Sequence, residues 1–302
     1  MQRFSPEGWL INEDYNKDYT GSLEGFKDAA INGVFLEAVP KMCTYSHDLI
    51  FDFNGIRGVM PRCECAVGIR EGKTKDIAII SRVGKPVRFV VTDILENENA
   101  VILSRKRVQE AYISEFIEYI IPGQVIDCKV THLEQFGCFV DIGCGISSMI
   151  PIDSISVSRI SHPSDRFEVG DDIKAIVRKY DGEKVYLSHK ELLGTWEENA
   201  EMFHSGETVN GVVRSIEPYG IFIELSPNLA GLAEPKPDVY VGQIASVYIK
   251  SINPDKMKIK LILVDNFDGE PHKFMRYFIT DGVVNRWRYS PAGCPKHIES
   301  VF

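Results

Sequence analysis

No run of about 18 or more apolar residues occurs in the sequence, which excludes an ordinary membrane-spanning helix. The opening stretch MQRFSPEGWLINEDYNKDY is polar and acidic. It lacks the basic start and apolar run of a secretory signal, so a cytoplasmic protein without a membrane partner is expected. An excess of positive charge is also missing: 34 Lys and Arg stand against 43 Asp and Glu, for a net charge of −9. That excludes attraction of the molecule as a whole to polyanions and leaves only local patches. The 7 cysteines are odd in number, contain no C-x-x-C, and are joined by no H-x-x-x-H. Cys63 and Cys65 form a lone C-x-C, and Cys128, Cys138 and Cys144 lie close in sequence. Neither a disulfide framework nor a structural zinc site follows, so reduced thiols and no metal are expected. G-x-S-x-G, G-x-x-x-x-G-K-[ST] and H-E-x-x-H are absent and the histidines are scattered, so no enzyme and no cofactor are expected.

Charge is unevenly spread. Residues 1–30 carry six acids against three bases, and 189–205 four against one. From Arg57 to Arg88 the balance reverses: Arg57, Arg62, Arg70, Lys73, Lys75, Arg82, Lys85 and Arg88 face three acids.

Internal self-similarity organises the chain. GQVIDCKVTHLEQFGCFVDI (123–142) aligns without a gap on GETVNGVVRSIEPYGIFIEL (206–225), every pair 83 residues apart. Gly123 meets Gly206, Phe136 meets Tyr219, Gly137 meets Gly220 and Phe139 meets Phe222. Downstream, Val169-Gly170 matches Val241-Gly242, and Lys184-x-x-Leu187 matches Lys258-x-x-Leu261. A weaker third copy lies upstream, where Gly55 to Pro61 matches Gly145 to Pro151 at an offset of 90.

Within a copy, Val125, Asp127, Lys129 and Thr131 alternate with Ile126, Cys128 and Val130, the period of a half-buried strand. Asp181-Gly182 and Asn253-Pro254 punctuate such runs as turns. About five strands in roughly 70 residues suit a small closed barrel of the OB type. Between copies, LSRKRVQEAYISEF (103–116) and LSHKELLGTWEENAEMF (187–203) lack proline and are rich in Glu, Ala and Leu. They predict short helices anchored by Tyr112 and Trp196. The fold class expected is mainly all-β: three tandem five-stranded OB barrels joined by short helices. The boundaries are 1–27 for an acidic N-terminal segment, 28–104 for a divergent first barrel and 105–119 for a helical linker. The second barrel follows at 120–188, a second helical linker at 189–202, the third barrel at 203–264 and a tail at 265–302.

The pattern G-x-(V/T)-x-x-x-V, then F/Y-G-x-F-(V/I)-(D/E)-(I/L), a distant V-G and K-x-x-L resembles the RNA-binding domain of ribosomal protein S-one. The resemblance covers residues 28 to 264, strongly in the second and third copies. It implies OB barrels that hold single-stranded RNA, a role in bringing messenger RNA to the small ribosomal subunit, no catalysis and a monomer. Physical chemistry points the same way, because unpaired bases stack on exposed aromatics while cations neutralise phosphates. The family's stacking rings fall on Phe136 and Phe139, and on Tyr219 and Phe222; its last-strand cation falls on Lys184 and Lys258. Lys129, Arg214, Lys250 and Lys256 are candidate helpers. The position where the family often carries histidine is Pro151 in one copy and Glu234 in the other.

Carrying the offset back through the first copy puts Ser46 and Leu49 where rings are expected and His47 at the glycine. That copy therefore lacks the aromatic pair, and its basic residues from Arg57 to Arg88 suggest docking on ribosomal protein or structured RNA. In the tail, RYFIT (276–280), Asp281-Gly282 and VVNRWRYS (283–290) predict a hairpin. It caps a barrel edge or, through Arg286, Trp287, Arg288 and Tyr289, adds an RNA contact. An RNA-binding regulator away from the ribosome and a protein-interaction scaffold are the alternative functions.

Overall fold

The computed structural model describes residues 2–270 and 275–302. Strands dominate, in two closed five-stranded barrels and a six-stranded sheet, as expected for tandem OB-type modules. No helix among the described residues is long and apolar enough to cross a membrane. The chain divides into two compact units. The first holds residues 1–120, 127–129 and 141–147, and the second holds 121–126, 130–140 and 148–302.

The acidic N-terminal segment is folded into the first unit. Helices α1 (Asp14–Thr20) and α2 (Leu23–Asn32) lead into the sheet. Ser22 caps α2 by accepting from the Gly25 N–H, and Gly33 ends it in the left-handed conformation that suits glycine. Phe26 and Ala29 turn into a core with Phe51, Phe53, Phe89 and Leu103.

The sheet uses β1 (Leu36–Ala38), β2 (Met42–Cys43), β3 (Leu49–Phe53) and β4 (Ile56–Met60). A single-turn helix α3 (Ile77–Ile80) precedes β5 (Val87–Leu95) and β6 (Ala100–Ser104). Its order is β1-β5-β6-β4-β3-β2. The edge strands β1 and β2 are successive pieces of one chain segment interrupted around Pro40. Proline has no N–H to give to a ladder, so the first strand breaks there.

A second difference lies in register. Leu49 pairs with Met60 and Ile221 with Ala233, and Met60 matches Ala233 by the repeat. Leu49, buried like Ile221, is therefore a core residue. Ile50 takes the place of Phe222. The hairpin between the paired strands is one residue shorter in the first copy, which the constant offset misses. The conclusion that this copy lacks the ring pair is unchanged.

Helix α4 (Arg105–Glu115) occupies the predicted first linker, capped by Ser104 accepting from the Arg107 N–H. Tyr112 is buried and donates its hydroxyl to the Ile142 carbonyl at 2.6 Å. Charge is also buried here: Glu7 receives both Nε and Nη2 of Arg105 at 2.6 and 2.8 Å, and Arg88 is paired with Glu37 at 2.7 Å. This takes Arg82 and Arg88 out of the basic stretch expected to act as a docking patch. Arg88 and Arg82 pair with Glu37 and Glu7, Arg62 with Asp76, and Arg70 with Glu64.

The second barrel comprises β7 (Val125–Glu134), β8 (Gly137–Asp141), β9 (Ser147–Pro151), β10 (Asp172–Tyr180) and β11 (Val185–Ser188), closed in the order β10-β11-β9-β8-β7. After it, the linker holds only a 3₁₀ turn at Lys190–Leu193 and the short helix α5 (Trp196–Ala200). Thr195 and Glu198 form a reciprocal capping box on α5, and Trp196 enters the core of the third barrel.

The third barrel comprises β12 (Thr208–Glu217), β13 (Gly220–Ser226), β14 (Leu229–Ala233), β15 (Ile244–Asn253) and β16 (Lys258–Phe267), closed as β12-β13-β14-β16-β15. β7 and β12 begin 83 residues apart, as do β8 and β13, so the sequence repeat is a repeat of strands.

The tail departs from expectation. Asp281-Gly282 is not the turn of a hairpin: β17 (Arg286–Arg288) pairs instead with β18 (Glu299–Val301). Residues 276–280 are engaged elsewhere. The Phe278 N–H donates to the Leu192 carbonyl at 2.8 Å, and the Tyr277 hydroxyl lies 3.1 Å from His189 Nε2. Val283 bridges to Gln124 beside the start of β7. Trp287 and Tyr289 are buried in the third-barrel core, and Arg286 pairs with Glu299, so the two rings of the Arg-Trp-Arg-Tyr run are core rather than a base-stacking surface.

Candidate nucleic-acid interface

The turn between β7 and β8 sets the first ring pair. A side chain at Gly137 would come 2.7 Å from the Ile150 carbonyl oxygen, and one at Gly220 would come 2.6 Å from that of Ala233. Only glycine lets the paired strands approach this closely while the preceding aromatic is turned out. Phe136 is 57% exposed and Tyr219 is 66% exposed. Phe139 and Phe222, two residues into their strands, are half-buried on the outward side, between inward Cys138 and Val140 or Ile221 and Ile223. The rings meet edge to face, 6.0 Å apart for Phe136–Phe139 and 6.1 Å for Tyr219–Phe222. Two copies with 83 residues between them thus build the same aromatic corner. In the second barrel His132 lies 6.1 Å from Phe139 and 2.7 Å from Glu134.

The cations sort into two groups. Lys184, just before β11, and Lys258, at the start of β16, are exposed, with Lys250 and Lys256 exposed on and beside β15. Lys129 and Arg214 are placed otherwise. The Lys129 ammonium lies against Gly8, 3.6 Å from where a side chain there would begin. Arg214 lines a cavity of about 400 Å³ with Arg166, Asn199, Phe203 and Phe278. Its Nε and Nη2 donate to the two oxygens of Glu224, each at 3.1 Å, and its Nη1 pairs with Asp165 at 3.0 Å. Arg214 is therefore held by carboxylates, unlike the exposed lysines. Burial alone would raise the Asp165 pKa, but Arg214 and the N–H groups of His162 and Ser161 hold it below the usual carboxylate range.

Strand register adds residues that the spacing argument overlooked. Met149 on β9 lies beside Tyr186 on β11. At the equivalent place in the third barrel, Phe222 pairs with Leu232 and Leu232 with Lys260. Tyr186 and Lys260 thus extend the ring row across the barrel, both exposed. Lys179 lies 5.9 Å from the Tyr186 ring centre, and the Tyr186 hydroxyl donates to Asp181 at 3.0 Å. The signal was present in the period of two: Tyr186 stands two residues beyond Lys184, and Lys260 two beyond Lys258. Pro151 ends β9 and Glu234 follows the last residue of β14, where it is exposed.

The cysteines are free thiols, with Cys65, Cys128, Cys138, Cys144 and Cys294 buried. Burial pushes the thiols of Cys65, Cys138 and Cys144 up to about 12, which leaves them inert at neutral pH.

Barrels with repeated outward aromatic corners define an OB-type nucleic-acid-binding module, and residues 119–190 match the family described as the S1 RNA binding domain. These residues are S1-like, and the chain is similar to a bacterial ribosomal protein. Small ribosomal subunit protein bS1 of Leuconostoc lactis is 30% identical over 226 residues, covering 71% of this chain and 50% of that protein. The small ribosomal subunit protein bS1 homolog of Bacillus subtilis strain 168 is 34% identical over 173 residues, covering 55% of this chain and 44% of that one. The chain spans about half the length of these relatives. Among solved structures, a multidomain protein with nucleic acid binding domains from Streptococcus pneumoniae is 13% identical, with a TM-score of 0.25, over 76% of this chain and 73% of that one.

Proposed function

We propose that the chain is a non-enzymatic, monomeric binder of single-stranded RNA, and that it brings messenger RNA to the small ribosomal subunit. Phe136 and Phe139 stack bases in the second barrel and Tyr219 and Phe222 in the third, with Lys184, Lys258 and Lys256 on phosphates. The observation that carries this reading is the pair of matching edge-to-face corners, each led by a large ring more than half exposed at a turn. Core packing gives no reason to hold such a ring in water twice. Each stacked base contributes about 1–3 kcal/mol. Fluorescence anisotropy with a mixed single-stranded RNA at several salt concentrations tests it. Phe136→Ala with Tyr219→Ala should weaken binding at least tenfold and leave the unfolding transition in place. Unchanged affinity in that variant would overturn the reading, and retention of the chain by purified small subunits only when messenger RNA is present tests its ribosomal part.

A further inference from the structure

In the third barrel Arg214 is engaged by carboxylates, whereas four lysines are not. Lys250, Lys256, Lys258 and Lys260 are exposed on the β15–β16 hairpin, and among the described residues none of their ammonium groups is in an ion pair. On the same outer surface stands Tyr248, 37% exposed and paired in register with Ile262, itself 48% exposed. The row Phe222–Leu232–Lys260 leads from the ring corner to β16, and β16 pairs with β15. Three strand spacings of about 4.8 Å place the strand of Tyr248 about 14 Å around the barrel from that of Phe222.

The second barrel closes the equivalent place. Ile176 pairs with Ser188 where Tyr248 pairs with Ile262, and both residues are 0% exposed. A ring at this position is thus a feature of the third barrel, not of the repeat. A tyrosine among unpaired lysines suits a base and its flanking phosphates better than it suits an apolar partner, which would have to bury those ammonium groups.

We infer that the RNA path on the third barrel continues from Tyr219 and Phe222 across Lys260 to Tyr248, which stacks a further base at the far end. This rests on the reading of the aromatic corners as RNA sites, and the test separates the two. In a full-length chain whose second barrel is silenced by Phe136→Ala and Phe139→Ala, affinities are measured for oligouridylates of roughly four and roughly twelve nucleotides, the range of OB-fold site sizes. Tyr248→Ala should weaken the long oligomer about tenfold and leave the short one within twofold. Lys260→Gln should reduce the salt slope for the long oligomer by about 0.7. Tyr219→Ala should weaken both lengths. Loss in Tyr219→Ala with none in Tyr248→Ala for the long oligomer would overturn the extended path alone. No loss in either variant would overturn the corner reading as well. Circular dichroism of each variant confirms that the barrel is intact.

Discussion

Lowering the pH should destabilise the second unit through His189. The ring is 0% exposed and packs edge to face on Phe167, centres 5.0 Å apart. Its Nδ1 lies 2.8 Å from the Ile155 carbonyl oxygen and its Nε2 lies 3.1 Å from the Tyr277 hydroxyl. A neutral ring donating from Nδ1 and accepting at Nε2 satisfies both. Burial, reinforced by Arg166 and only partly countered by the Ile155 hydrogen bond, lowers the His189 pKa from 6.5 to about 4. The unfolded chain therefore takes up this proton first. Stability is flat above the unfolded value, falls as pH drops from about 6.5 to about 4, and levels off below. At 1.36 kcal/mol per pKa unit, the drop of 2.5 between the two values removes about 3 kcal/mol in all. Urea unfolding between pH 7.5 and 4, followed by fluorescence of buried Trp196 and Trp287, measures it against His189→Gln. The variant lacks the titration, so the two stability curves should converge as pH falls. Parallel curves would refute the assignment, since other groups titrating in that window act on both proteins alike.

Two further perturbations probe how the units are held. Glu7→Gln removes the carboxylate that pairs with Arg105 and Arg82 and should destabilise the first unit by about 3 kcal/mol, seen as faster hydrogen exchange in α4. The Asp141 carboxyl, raised to about 6 by burial and then by the charge of Glu7, should ionise at lower pH in that variant; unchanged exchange would show that the buried pair contributes no stability. Gly137→Ala drives a methyl group to within 2.7 Å of the Ile150 carbonyl oxygen and should cost about 1–3 kcal/mol, read by calorimetry as a lowered Tm. A Tm equal to that of the wild type would mean that β8 and β9 can part without penalty.

Strand placement was legible because it follows from alternation and glycine spacing, both local properties of the chain. The ring corners were legible for the same reason: a turn, a glycine and two aromatics lie within four residues. What escaped depended on partners far away in sequence. Arg214 looks like a free cation on a strand until Glu224, ten residues on, and Asp165, from another element, engage each of its three nitrogens. Arg82 and Arg88 of the basic run behave likewise, since their partners Glu7 and Glu37 lie outside it. The tail was misread because Asp-Gly is a sound hairpin signal only when both flanking runs are free to pair. Here Tyr277 and Phe278 are held by His189 and Leu192, so the following run finds another strand at Glu299–Val301.

The net charge of −9 fails as a guide for a related reason. A planar guanidinium matches two carboxylate oxygens and tolerates burial, so arginines are drawn inside as partners of acids, whereas a strongly hydrated ammonium stays at the surface. Arg88, Arg105 and Arg166 are buried with acidic partners, while Lys184, Lys250, Lys256, Lys258 and Lys260 remain exposed. What a polyanion meets on the barrels is decided by exposed cations such as those lysines, because at physiological salt exposed charges more than about 8 Å away are largely screened. Two stacked bases at about 1–3 kcal/mol each give about 2–6 kcal/mol, a site of roughly tens of millimolar to tens of micromolar strength. Useful affinity then requires a second corner on the same chain, where linkage multiplies binding by about 10² to 10⁴ without any new contact. Repetition of a weak aromatic corner, rather than accumulation of positive charge, is how an acidic chain can hold RNA.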